Sequence, residues 1–386
     1  MNISFSKKWL LIVALTIPNL KHGYLDYCQS IDLILNVWKI IAFVITIYYF
    51  HKMQSGISKI TLFIIIMECY LLADTYIQNA NFYACASTAF SVICLSLVYE
   101  VFCGDGQLFI DAQLFCYEVL IYLNLISEIV YPHGMYKNIS YKNWFLGYYN
   151  THMMFFLPAL IFAFLKKDKI RLLFLYVAVV ISSVLVWAGG SIMTLFALTI
   201  IYFLSSNTYI FNYFTYWLIQ PLFFIFVVQL GMIERLKWII GDLLGKWSSL
   251  QGRIRVWNTE LSRLNKYWLF GKGIEHSGTR IKTYYGYSWA VHAHNLVLEI
   301  LHVGGLIYLI IFTVIIIATG IKLWPHRDSY EVRIISLGFL GWSIRSTVDP
   351  YLFATWMVLF VLAFRIEELR LENNSEEVKL QVLSDN

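Results

Sequence analysis

Long apolar runs separated by short polar joints dominate the chain, and their spacing is that of a membrane bundle. Taken at roughly 20 residues per crossing, the runs divide into about twelve spans. They centre on residues 9–20, 31–50, 60–78, 83–103, 108–130, 151–165, 172–187, 192–204, 209–230, 295–318, 334–344 and 352–364. The first span and the pair around Gly189 and Gly190 are short enough to be tilted or re-entrant. The fold class expected is all-α: a polytopic membrane protein forming one integral domain over 1–386, with a large extracytoplasmic loop.

Composition supports this pattern. Apolar residues make up 59% of the chain and charged residues 14%, with a mean hydropathy of +0.64. Soluble domains carry about a quarter charged residues. Thirteen Trp, 27 Tyr and 28 Phe fit aromatic belts at two membrane interfaces. The six cysteines show no C-x-x-C spacing and read as small hydrophobes. The run after Lys7 and Lys8 contains Pro18 and lacks an A-x-A-like cleavage site, so it reads as a retained span.

Basic residues set the orientation. Lys7, Lys8, Lys52, Lys59, Lys166, Lys167, Lys169, Arg171, Lys322, Arg327 and Arg333 fall in alternate joints, on the side that also takes both termini. The positive-inside rule makes that side cytoplasmic. The charged tail 365–386 then lies inside as a solvated helix or coil. Two segments lie outside: an aromatic loop at 131–150 and a large loop at 231–293.

The net charge of +5 matters less than its location. Residues 231–305 hold ten Lys or Arg against five Asp or Glu, with long apolar runs on both sides. A basic segment tethered at a membrane is suited to an anionic ligand that itself sits in the membrane. Nucleic acid is excluded as a partner, because the basic residues lie between apolar spans. No Walker loop, G-x-G-x-x-G or H-E-x-x-H is present, so neither a nucleotide nor another cofactor is expected.

Within 231–293, Arg253 and Arg255 either project together from an extended piece or splay around a helix. A guanidinium fork fits phosphate oxygens bidentately; contact with anionic lipid headgroups would use the same charges. Trp257 and Trp268 are candidate interface anchors. The group H-A-H-N (292–295) opens the next span, which continues through Glu299 and His302. A histidine at a membrane boundary can serve as general base. On one helix, His294 and His302 would lie roughly 12 Å apart, too far to share a metal, so no metal site is expected. Glu299 and His302 are expected as a polar pair inside the bundle. In the loop 131–150, Tyr148 and Asn150 offer a flat face and a hydrogen-bonding tip for sugar, although an aromatic belt would use the same residue types.

The order G-R-x-x-x-W (Gly252, Arg253, Trp257), G-K-G (Gly271, Gly273), H-A-H-N-x-x-L-E-I-L (292–301) and G-G-L resembles the bacterial polysaccharide repeat-unit polymerases and O-antigen ligases. The motifs P-x-G-M-Y (Pro132, Gly134, Tyr136) and W-F-L-G-Y-Y-N (144–150) resemble the polymerase branch. The resemblance covers about a fifth of the chain by motif and the whole chain by hydropathy profile. It implies a GT-C-like membrane glycosyltransferase, inverting and metal-independent, at the outer face of the bacterial plasma membrane. Donor and acceptor would be undecaprenyl-diphosphate-linked oligosaccharides, with a chain-length regulator and a flippase as companions. Arg253 would bind the donor diphosphate and His294 would activate or position the acceptor hydroxyl. Arg255, Arg280, His292, Asn295, Trp257, Tyr148 and Asn150 are the expected substrate-binding residues. One departure stands out. Ligase-like members carry an S-R-G-like motif on a middle span, whereas this chain reads W-A-G-G-S-I-M-T at 187–194. The second phosphate-binding arginine must come from elsewhere, with Arg255, Arg280 and Arg345 as candidates. An O-antigen ligase and a lipid-linked oligosaccharide flippase are the rival functions.

Overall fold

The computed structural model describes residues 6–53, 56–138, 141–205, 207–232, 247–283, 290–350, 352 and 354–369. Apart from one small sheet, the described residues are mainly helical. Each apolar run named above contains helix: α1 (Lys7–Thr16), α3 (Gln29–Lys52), α4 (Lys59–Ile77), α5 (Phe82–Phe102), α6 (Gly106–Val130), α7 (Met153–Lys166), α8 (Lys169–Leu185) and α9 (Gly189–Leu204). The remainder are α10 (Tyr213–Trp217) and α11 (Ile219–Leu222), which run into a π-helical stretch at Phe223–Gln229, then α14 (Leu296–Leu323), α15 (Tyr330–Ser346) and α16 (Ala354–Phe364). Between α1 and α3 lies the short α2 (Gly23–Tyr27).

By length and composition, Ser30–Lys52, Lys59–Ile77, Phe82–Val130 and Leu296–His326 can each cross a membrane. Gly189–Leu204, Tyr213–Gln229 and Ala354–Phe364 are shorter apolar helices. The run Phe82–Val130 is a hairpin, because a tight turn at Cys103–Asp105 and Gly106 (φ 49°) separates α5 from α6. The chain is therefore a membrane-embedded, multi-pass helical protein.

Polar caps satisfy helix-start amides that hydrocarbon cannot solvate. Ser6, Ser58, Asn81, Asp168 and Ser329 each accept from an amide in the first turn of α1, α4, α5, α8 and α15. α7, α15 and α16 form the centre, where Trp217, Phe339, Trp342 and Phe360 pack ring against ring at centroid distances of 4.9–6.2 Å. α3 is peripheral and presents Leu33, Ile34, Ile40 and Val44 outward.

The two ends of the bundle differ in their chemistry. At one end, Lys8 pairs with Asp105, Arg171 with Asp111 and Glu118, Lys167 with Glu331, and Arg365 with Glu100. The tail was expected to be solvated from 365 onward, but its first residues dock here: Ile366 and Leu369 are buried, and Arg365 also bonds Glu368 and the Gly56 carbonyl. Residues 370–386 lie outside the described residues. At the other end, where α14 begins and α15 finishes, the candidate residues gather.

Two segments expected as loops are ordered at that second end. Three strands form an antiparallel sheet of order β1 (Tyr136–Asn138), β2 (Tyr141–Trp144), β3 (Gly147–Tyr148). The register pairs Tyr136 with Asn143 and Trp144 with Gly147. Aromatic residues alternating with polar ones suit a half-buried pleat, and apolar counting alone had hidden that pattern. The segment 231–293 is largely helix where described, as α12 (Trp247–Arg263) and α13 (Ser277–Thr283). Residues 233–246 and 284–289 lie outside the described residues.

Candidate functional site

Asp349 is the centre of the site, and sequence reasoning did not single it out. It follows α15 directly, where its Oδ2 accepts from Arg345 Nη2 at 2.7 Å. His294 Nδ1 lies 3.0 Å from Asp349 Oδ1, and Arg253 Nη2 lies 3.7 Å from the same oxygen. Three separate stretches of the chain thus supply α12's arginine, the histidine before α14, and the acid–arginine pair after and on α15.

The two arginines are held differently. The Arg345 side chain is 2% exposed, and a second contact carries Nη2 to the Asn150 carbonyl at 3.2 Å. Its guanidinium also fills the space a side chain at Gly190 would need, since a Cβ there would meet Arg345 Nη1 at 2.5 Å. The glycine pair in W-A-G-G-S therefore makes room for an arginine arriving from another helix. Of the candidates for the second cation, Arg345 is the one in place. Arg253 is 18% exposed and its ion pair with Asp349 is longer, at 3.7 Å. Arg345 is the more deeply held of the two charges, and Arg253 is the more exposed.

Electrostatics follow from this cluster. Burial alone would push the Asp349 carboxyl up. The Arg345 guanidinium, the hydrogen bond from His294 and the Arg253 guanidinium outweigh burial and hold it well below the usual carboxylate range. Because that carboxylate only accepts, His294 Nδ1 donates to it, and in a neutral imidazole the lone pair would then lie on Nε2. His294 itself adopts φ 52°, a conformation that few non-glycine residues take and that clusters at functional sites. The His292 ring lies tilted beside it, centroids 4.0 Å apart, and its Nδ1 accepts from the His294 amide at 3.2 Å. Burial, then the neighbouring His294, Arg280 and Arg253, push His292 well below its ordinary value, against the pull of Asp349.

The other expected site residues divide by position. α12 settles the question left open for the arginine pair: Arg255 points to its exposed side, away from inward-facing Trp257 and Glu260. Trp257 was expected at an interface but is fully buried, and its indole donates to the His294 carbonyl at 3.2 Å. Asn295 caps α14 through Leu298 and donates to the Thr347 carbonyl at 3.2 Å. These two residues build the scaffold. Arg280 is buried against Glu299 at 2.6 Å, so it adds positive potential beside His292 while remaining inside the protein. Asn150 meets the site through its carbonyl. Tyr148 lies against Tyr149 and Tyr141 with tilted rings, centroids 4.2 and 4.8 Å apart, and Asp349 contributes to raising its hydroxyl pKa, after burial, Tyr149 and Tyr141.

The expected Glu299–His302 pair does not form. His302 lies instead between Glu260 and Glu275, at 2.9 and 2.8 Å. The ligand atoms of His292, His294 and Asp349 all fall within 4.8 Å of one another, a spacing a metal ion could bridge. Two guanidiniums already share the Asp349 charge, so a cation there would face two positive groups. Two cations against one carboxylate leave a net positive centre, which favours an anion.

A cavity of about 320 Å³ lies elsewhere, between α7, α8, α9 and α15, and its lining is almost wholly apolar (Leu157, Phe164, Leu172, Leu198, Leu337). It contains none of the residues described above. No protein-family model, curated protein or solved structure matches this chain.

Proposed function

We propose that the protein is a membrane glycosyltransferase that polymerises undecaprenyl-diphosphate-linked oligosaccharide repeat units at the outer face of a bacterial plasma membrane. The observation that carries this reading is the convergence of Arg253, Arg345 and His294 on Asp349 at one end of the bundle. The clustering of ion-paired basic residues at the opposite end supports reading that other end as the cytoplasmic one, by the positive-inside rule.

In the reaction, an acceptor sugar hydroxyl attacks the anomeric carbon of the donor. The carbon–oxygen bond to the diphosphate breaks, and the electron pair leaves on the phosphate oxygen. His294 Nε2 takes the hydroxyl proton, and Asp349 stabilises the imidazolium that forms. Arg253 neutralises the charge growing on the leaving diphosphate, with Arg345 supplying a fixed positive potential behind it. Attack from the face opposite the leaving group inverts the anomeric centre. Tyr148, within electrostatic reach of Asp349, and its ring neighbours Tyr141 and Tyr149 offer aromatic faces for the acceptor glycan.

Purified protein incubated with lipid-linked repeat units in chelator-treated buffer should yield a ladder of polymer. A single transfer product would point to a ligase, and movement of the lipid without any new glycosidic bond would point to a flippase. Absence of any product from a folded sample would overturn the reading.

A further inference from the structure

Away from Asp349, His302 sits fully buried in α14 with a carboxylate at each ring nitrogen: Glu260 Oε2 is 2.9 Å from Nδ1, and Glu275 Oε2 is 2.8 Å from Nε2. A neutral imidazole has one N–H and cannot donate to both. The geometry therefore calls for one proton more than a neutral histidine between two carboxylates can supply. Tyr267 donates to Glu260 at 2.7 Å, and Lys272 lies 4.0 Å from Glu275 and over the Tyr267 ring.

The position of this cluster relates it to the site. On α12, Arg253, Trp257 and Glu260 share the face turned to α14, at spacings of four and three residues. Arg253 meets the His294–Asp349 pair, Trp257 bonds the His294 carbonyl, and Glu260 bonds His302. α14 is broken at Gly305 (φ 65°, ψ −163°), and the turn after α12 fills the break. Lys272 and Gly273 amides donate to the His302 and Val303 carbonyls at 2.8 and 2.9 Å, while Leu306 donates to the Trp268 carbonyl at 2.7 Å. His302 thus grips the arginine-bearing segment by side chain and backbone together.

We propose that His302, protonated between Glu260 and Glu275, is a positioning residue that latches α12 to α14 and so sets where Arg253 stands relative to His294. Its link to catalysis rests on the reading given above; the latch itself does not. The charged and titratable groups facing it are Glu260 on α12, Tyr267, Lys272 and Glu275 in the turn, Arg280 on α13, Glu299 on α14, and Asp74 of α4 beside Gly273. Arg280 and Glu299 neutralise each other, and Lys272 leans toward Glu275. Glu275 is the more exposed of the two carboxylates, so it is the partner freed first when the imidazole is lost.

Hydrogen exchange of α12 amides, corrected for intrinsic base catalysis, reads the latch with no lipid present. In the wild type, α12 should be well protected. Glu275→Gln should keep that protection, because its amide donates to Nε2 while a neutral imidazole donates to Glu260. His302→Phe should exchange about 100-fold faster, because Glu260 and Glu275 both lose the imidazole between them. Wild-type protection in His302→Phe, or a loss in Glu275→Gln as large as in His302→Phe, would overturn the latch. If the latch opens as expected while affinity for undecaprenyl diphosphate stays constant, the latch stands and the diphosphate reading fails.

Discussion

At Asp349 a single carboxylate faces two guanidiniums and an imidazole, so its removal should separate binding from turnover. Asp349→Asn is expected to lower kcat about 10²–10⁴-fold, as for loss of a group that orients a general base. The same change should tighten binding of undecaprenyl diphosphate, because both arginines lose their internal counter-ion. Steady-state kinetics with a parallel binding titration checks both; equal losses in the two would count against the assignment. His292 gives a second residue-level prediction. Its folded form resists protonation, whereas the unfolded chain takes up a proton near pH 6.5. Stability should therefore decline as pH falls through about 6.5, and His292→Asn should remove that part of the slope in detergent melting curves.

The same residue scale shows how much of the chemistry was legible. Arg253 and His294 stood out because their motifs did, and the structure brings them together. Asp349 was missed because no motif contains it. A usable signal existed: Arg345 and Asp349 are the only charged residues between Arg333 and Arg365, spaced four apart at the end of an apolar run. Uncompensated charge at such a place is costly enough to mark function. The pairing of His302 with Glu260 and Glu275 could not be read locally, since 42 and 27 residues separate the partners.

At the scale of elements, the glycines explain motifs whose purpose sequence alone left open. A Cβ at Gly271 (φ 83°) would lie 2.5 Å from the Gly304 nitrogen, and one at Gly305 would lie 2.3 Å from the Leu269 carbonyl. The motifs G-K-G and G-G-L are thus two halves of one close approach between the turn after α12 and the break in α14. Gly271→Ala combines backbone strain of roughly 1–3 kcal/mol with that clash, so a sharply lower melting temperature is expected. Gly278→Ala, with nothing within 4 Å, should melt like the wild type. Equal melting of the two variants would contradict the docking of the turn. Apolar periodicity identified the helices well, because burial in lipid and helix formation demand the same runs. It could not identify the sheet at 136–148 or α12, whose polar faces resemble loops.

Across the whole molecule, one end of the bundle holds the site and the other holds the paired basic residues. In a cysteine-free background, Lys142→Cys beside the site should react with a membrane-impermeant maleimide in intact cells. Lys52→Cys at the opposite end should react only after permeabilisation; the reverse pattern would place the site in the cytoplasm. The central claim, that Arg253 holds a lipid diphosphate beside the base His294, is tested most directly by binding of undecaprenyl diphosphate to the purified protein. Arg253→Ala should weaken binding roughly 10- to 150-fold, the range for a charge-assisted hydrogen bond of about 1.5–3 kcal/mol, whereas His294→Ala should bind normally and form no polymer. Unchanged affinity in Arg253→Ala would contradict the account.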